Sequence, residues 1–253
     1  MPEVKTHSIG RAAQKDSARA SLRVAACLLL AGQLLYIAVT QLHAGGDANN
    51  HRVIFAIYAA NDIWTAVHLG QFASMVILLA GLFALFVAMD ARKGAPSWTG
   101  RFGAAVTVAT LALYGVLQAV DGVALKQAVN AWSSAPEAEK MTRFASAETI
   151  RWLEWGMRSY ENFAMGLALI LCAAAATRTL SRPMGGIMGL SGIAYLAQGW
   201  IAGGEGFSPA QSTAIIAGWA LSLLWMIWLA AISARADEMH PRQLVRSMAN
   251  WRR

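Results

Sequence analysis

Six separated runs of about twenty apolar residues divide this chain, and each is long enough for one helix to cross the roughly 30 Å hydrocarbon layer of a bilayer. The runs are Leu22–Leu42, Asn61–Met89, Phe102–Leu125, Trp152–Thr177, Gly185–Gly203 and Gln211–Ala234. Of the 253 residues, 57% are hydrophobic and 14% are charged, against about 45–50% and 25% in soluble domains. A soluble fold of this length has no interior to hold that excess. The pattern excludes a soluble globular enzyme, a disordered chain and a coiled coil. The two cysteines, Cys27 and Cys172, both sit inside apolar runs. They are too few for a disulfide scaffold or a cysteine-only zinc site. The expected fold is all-α: a polytopic bundle of six transmembrane helices over residues 22–234, between basic tails 1–21 and 235–253.

The formal net charge is +7. The basic residues flank apolar runs, so they read as topology signals and not as a nucleic-acid surface. Lys5, Arg11, Lys15, Arg19 and Arg23 precede the first run. Arg92, Lys93 and Arg101 lie between the second and third, and Arg178 and Arg182 between the fourth and fifth. Arg235, Arg242, Arg246, Arg252 and Arg253 follow the sixth. The intervening connections carry fewer: Arg52, Lys126, Lys140, Arg143 and Arg151, with Arg158 inside the fourth run. The positive-inside rule therefore puts both termini in the cytoplasm. The basic start and apolar body of the first run also outline a secretory leader, but its length favours a span.

The outer connections are residues 43–60 and 126–151. Ser134-Ala-Pro-Glu137 has capping-box spacing, which predicts a short outer helix from about Ala135 to Phe144. Val53–Ala60 is apolar but short, and is expected in the outer interface or as a bent approach to the second span. The tail Gln243–Arg253 has the pattern of an amphipathic helix on the inner leaflet. Gly185, Gly189, Gly199 and Gly203 form four-residue pairs that let helices approach closely. They predict close packing within the bundle, or a face for a homo-oligomer or another membrane-protein partner.

Ionisable groups inside spans are costly and point to function. Asp62, His68, Asp121, Glu154, Arg158, Glu161 and Glu205 all fall toward the outer end of their runs. Helical spacing sorts them onto faces: Asn61, Trp64, His68 and Gln71; Tyr114, Gln118 and Asp121; Arg151, Glu154, Arg158 and Glu161; Ser191, Tyr195, Gln198 and Glu205. Gln33, Tyr36 and Thr40 add a fifth. Lipid cannot satisfy these groups, so the faces are expected to meet. The candidate binding residues are Asp62, Trp64, His68, Gln118, Asp121, Glu154, Arg158, Glu161, Gln198 and Glu205. Five carboxylates against one guanidinium give a formal charge of −4, which favours a cation or another small polar ligand. Glu154–Arg158 and Arg158–Glu161 have ion-pair spacing, so the set also reads as a structural network.

The expected function is binding of such a ligand, for transport or sensing. An enzyme acting on a lipidic or isoprenoid substrate at the outer leaflet is one alternative, since a buried carboxylic acid can serve as a general acid. A non-catalytic accessory subunit is another. His68 with Asp121, Glu154 and Glu161 could make a hard metal site, but no His-Glu-x-x-His or Glu-x-x-His pair is present. Bis-histidine haem would need paired histidines deep in facing helices, and His43 falls at the interface; no metal ligand is assigned and no cofactor is identified. There is no P-loop, Gly-x-Ser-x-Gly or dinucleotide fingerprint.

Three features carry a wider resemblance: Trp64 and His68 leading into Gly81-Leu82, Phe144, Glu148 and Arg151 approaching the fourth run, and Arg182-Pro183 before the glycine-rich fifth. With them, the whole-chain plan resembles a family of uncharacterised bacterial six-helix integral membrane proteins. That resemblance implies the fold and a bacterial cytoplasmic (inner) membrane. It implies no activity.

Overall fold

A computed structural model describes the backbone of residues 3–250 and the side chains of residues 17–234. Among the described residues eight α-helices appear in order: α1 (Glu3–Thr40), α2 (His51–Ala59), α3 (Trp64–Lys93), α4 (Trp98–Ala119), α5 (Lys126–Ser133), α6 (Glu137–Thr179), α7 (Arg182–Glu205) and α8 (Pro209–Asn250). A π turn, Val120–Leu125, joins α4 to α5. The face presented by the tail Gln243–Arg253, like the side chains of Lys5, Arg11 and Lys15, lies outside the described residues.

Among the described residues, five segments are long and apolar enough to cross a membrane: those in α1, α3, α6 and α8, and the one running from α4 through α5. The chain is a multi-pass membrane protein by length and composition. The fifth apolar run forms α7, 24 residues long, but its glycines and polar residues leave it less apolar than the rest.

The six long helices close into a ring. Each packs on the next, α1 on α3, α4, α6, α7 and α8 in turn, and α8 returns to α1. α3 and α6 also touch across the ring. Arg23 Nε donates to the Ser233 carbonyl at 3.3 Å, so the start of α1 lies beside the far part of α8. The two terminal helices are therefore antiparallel, and their outer ends leave the ring on the same side.

The bundle is apolar outside, and its interior holds buried polar side chains beside a hydrocarbon core. Leu69, Phe83, Phe102, Val108, Leu190, Ile193, Ile216 and Ile227 are exposed. Gln33, Gln71, Thr107, Gln118, Asn162, Ser191 and Gln198 are buried. Toward the termini the axis is filled by hydrocarbon, including Leu29, Leu79, Leu82, Leu85, Phe86, Leu169, Cys172 and Leu229.

α6 and α7 pack closely, and glycine is the reason. A Cβ at Gly166 would stand 2.7 Å from the Gly192 carbonyl, and one at Gly192 would stand 2.8 Å from the Gly166 carbonyl. Gly185, Gly189, Gly199 and Gly203 also face α6, at Ala173, Thr177 and Ser159. The stripe packs against α6 within the chain.

The end opposite the termini carries a cap. α2 is a separate helix, and Ile54, Phe55 and Tyr58 pack with Trp64, Leu125, Val129 and Ala147. Lys126 Nζ holds α2 down by donating to the Tyr58, Ala59 and Asn61 carbonyls at 2.7, 2.9 and 2.9 Å. These carbonyls at a helix C-terminus lack partners in the helix, and a cation suits the dipole there. The expected short helix from Ala135 is absent as a separate element. α6 starts at Glu137 and continues for 43 residues, with Pro136 at its N-cap. Ser134 Oγ instead donates back to Asn130, at the end of α5.

Candidate functional site

Asp121 lies in the π turn that follows α4, buried like Tyr114 and Gln118 before it, and the turn packs against α3. Gly122 permits the approach, since a Cβ on it would lie 2.6 Å from the Cβ of His68. Trp64 Nε1 donates to the Asp121 carbonyl at 3.0 Å, and Thr65 Oγ1 to the Gly122 carbonyl at 3.4 Å. Carbonyls loosened by the π geometry thus find side-chain donors, as burial demands. π turns of this kind are frequent at functional sites.

His68 faces the turn. Its Nδ1 donates to the Trp64 carbonyl at 2.8 Å, and its Nε2 lies 3.0 Å from Asp121 Oδ2. Both side chains are buried, His68 2% exposed and Asp121 4%. His43, on the loop after α1, comes in beside them, with ring centres 5.1 Å from His68 and 4.9 Å from Trp64. Its Nδ1 donates to the Ala44 carbonyl at 3.1 Å. Burial holds the His43 imidazole below its ordinary pKa, against the pull of Asp121. The donor atoms of His43, His68 and Asp121 all lie within 4.8 Å of one another.

Arg151 ties the cap to the bundle. It is 2% exposed and forms a close ion pair with Glu154, itself 1% exposed. Its Nη2 donates to the Ala48 carbonyl at 3.1 Å and to the Tyr58 hydroxyl at 3.3 Å. The guanidinium also lies over the Phe207 ring, 4.6 Å from its centre. Burial raises the Tyr58 pKa, with Arg151 opposing, so the hydroxyl stays neutral. Asn49 completes the cap: its Nδ2 donates to the Glu205 carbonyl at 2.8 Å, and its Oδ1 accepts from the Phe207 amide at 2.9 Å.

Beneath these contacts lies a cavity of about 210 Å³. One water needs only about 10–15 Å³ by the same kind of measure, so this is a chamber. Its wall includes Tyr36 and Thr40 of α1, His43, Tyr58, Gln71, Asp121, Arg151, Glu154, Arg158, Glu161 and Asn162. Tyr195 and Gln198 of α7, Phe207, and Gln211 and Trp219 of α8 close it. Glu161 is 1% exposed, and its Oε1 has no hydrogen-bond partner in the protein. Among the described residues no close ion pair joins Arg158 to Glu154 or Glu161; Glu154 pairs with Arg151 instead.

Of the residues singled out from sequence, Asp121, Glu154, Arg158, Glu161 and Gln198 line the chamber. Trp64, His68 and Gln118 are buried on the inward faces without lining it. Asp62 and Glu205 are exposed and do not join them. Asp62 lies in the link before α3 begins, and Glu205 is the last residue of α7, where only its carbonyl is engaged. The chamber therefore holds three carboxylates, Asp121, Glu154 and Glu161, against two guanidiniums, Arg151 and Arg158. With all five ionised the formal charge is −1, in place of the −4 expected from sequence. Sequence reasoning left His43 at the interface and placed Arg151 in a loop. The four-residue face Arg151, Glu154, Arg158, Glu161 already carried the signal for Arg151.

Comparison with protein-family models, curated proteins and solved structures finds no match to this chain.

Proposed function

We propose that all six long helices cross a bacterial cytoplasmic membrane, with both termini inside, and that the chamber binds a small polar ligand presented from the outer side. Arg19, Arg23, Arg92, Arg101, Arg178 and Arg182 cluster toward the ends of helices remote from the cap, which supports this orientation. α7 spans about 36 Å at 1.5 Å per residue, enough to cross. The observation that carries the binding reading is that Arg158 and Glu161 line one chamber with no close ion pair between them, and Glu161 presents a buried, unpartnered oxygen to the space. Buried carboxylates without partners are costly in a protein interior. A ligand carrying both a donor and an acceptor, an amine or a small zwitterion, would satisfy both groups.

The hydrocarbon-filled axis below the chamber favours binding or sensing over conduction. The test is a thermal-melt screen of the purified protein with small amines, amino acids and betaines. At least one is expected to raise the melting temperature of the wild type and not that of a folded Glu161→Gln variant. A panel that shifts neither protein, or shifts both equally, contradicts the reading.

A further inference from the structure

We propose that His43, His68 and Asp121 form a binding site for one divalent first-row transition-metal ion. The inference stands on this cluster alone and does not depend on the chamber's binding an organic ligand.

The protonation pattern comes first. A backbone carbonyl only accepts, so the Nδ1 atoms facing the Trp64 and Ala44 carbonyls carry the hydrogens. In the neutral rings both Nε2 atoms are then lone-pair donors. Metal-binding histidines are held in this way, with the other ring nitrogen bonded to a carbonyl or carboxylate.

The geometry comes second. His68 Nε2 and Asp121 Oδ2 are 3.0 Å apart, within ion-pair distance, and Nε2 has no hydrogen bond of good angle. Two ligands about 2.1 Å from a common ion and at right angles are separated by about 3.0 Å. Such ligands sit side by side and do not point at each other. Asp121 Oδ1 is also buried and unpartnered. The wider separation, up to 4.8 Å, belongs to His43. Two ligands of one ion stand about 3.0 Å apart at right angles and at most about 4.2 Å apart when opposite, so this loop residue moves inward to complete the set.

The supports come third. Trp64 fixes both members of the pair: its carbonyl holds His68, and its indole holds the backbone of Asp121. Two imidazoles and one carboxylate suit zinc, iron(II) or manganese. His43 and Asp121 both line the chamber, so the remaining coordination positions face it.

The experiment uses the tag-free full chain in detergent, stripped with chelator and titrated with Co²⁺ while visible absorption is recorded. The expected result is one equivalent bound with ligand-field bands. His43→Ala should weaken binding by more than about 100-fold, beyond the 10–100-fold cost of losing a residue that only orients a ligand. Asp62→Asn, an exposed acid nearby, should change nothing. His43 lies on a loop and is only half-buried, so its variant decides the matter even if Asp121→Asn does not fold. Folded wild type that binds no Co²⁺, or binds it as tightly in His43→Ala, overturns the proposal.

Discussion

At the scale of single residues, Arg151 shows how partner choice escapes local spacing. Glu154 has one arginine three residues before it and another four residues after it, and both separations suit a helical ion pair. The structure takes Arg151 because Ala48, Tyr58 and Phe207 complete that guanidinium's surroundings. Two of these lie about a hundred residues away in sequence, so no local pattern reveals them. Removing one member of a buried pair strands the other, at a cost of about 3–5 kcal/mol. Arg151→Leu should lower unfolding stability in detergent by about that much. Adding Glu154→Gln should restore part of the loss. If the double variant is as unstable as the sum of two independent losses, the pair is not the source of the effect. The inward turn of Glu161, Gln198 and Asp121 was legible from periodicity. The exposure of Asp62 and Glu205 was not, because each sits at a helix boundary, where the face rule lapses.

Among the elements, glycine had a legible spacing and an illegible direction. A four-residue repeat says that something comes close; it does not say whether that is α6 or a second molecule. A pair of substitutions separates the two cases. Gly192→Ala sets a methyl 2.8 Å from the Gly166 carbonyl, and overpacking of that kind costs about 1–3 kcal/mol. Gly186→Ala meets nothing within 4 Å and should be neutral or gain up to about 1 kcal/mol from helix propensity. Equal melting temperatures for the two variants would remove the close α6–α7 contact from the account. The π turn was invisible in sequence, since Val120–Leu125 reads as the plain end of an apolar run. The cap was half visible: Val53–Ala60 was plainly apolar, but its anchor, Lys126, comes from another element.

For the whole molecule, hydropathy foretold the all-helical class and the place of each long helix, but not every boundary: α1 begins at Glu3, α6 begins at Glu137 and α8 continues to Asn250. Closure of the ring between α1 and α8 was not legible, because it depends on contacts between chain ends. The fold sets a charged, aromatic-walled chamber under the cap and hydrocarbon beneath it. The account predicts that this chamber is wet and reached from outside the cell. The most direct test is thiol labelling with a membrane-impermeant reagent, in cells carrying a version with Cys27 and Cys172 replaced by alanine. Asp62→Cys marks the outer side and Ala95→Cys the inner. Gln198→Cys, on the chamber wall but with little surface of its own exposed, should label from outside, more slowly than Asp62→Cys. Labelling at Ala95→Cys with none at Asp62→Cys would reverse the orientation. An inert Gln198→Cys beside a reactive Asp62→Cys would contradict an open chamber and leave only a packed bundle.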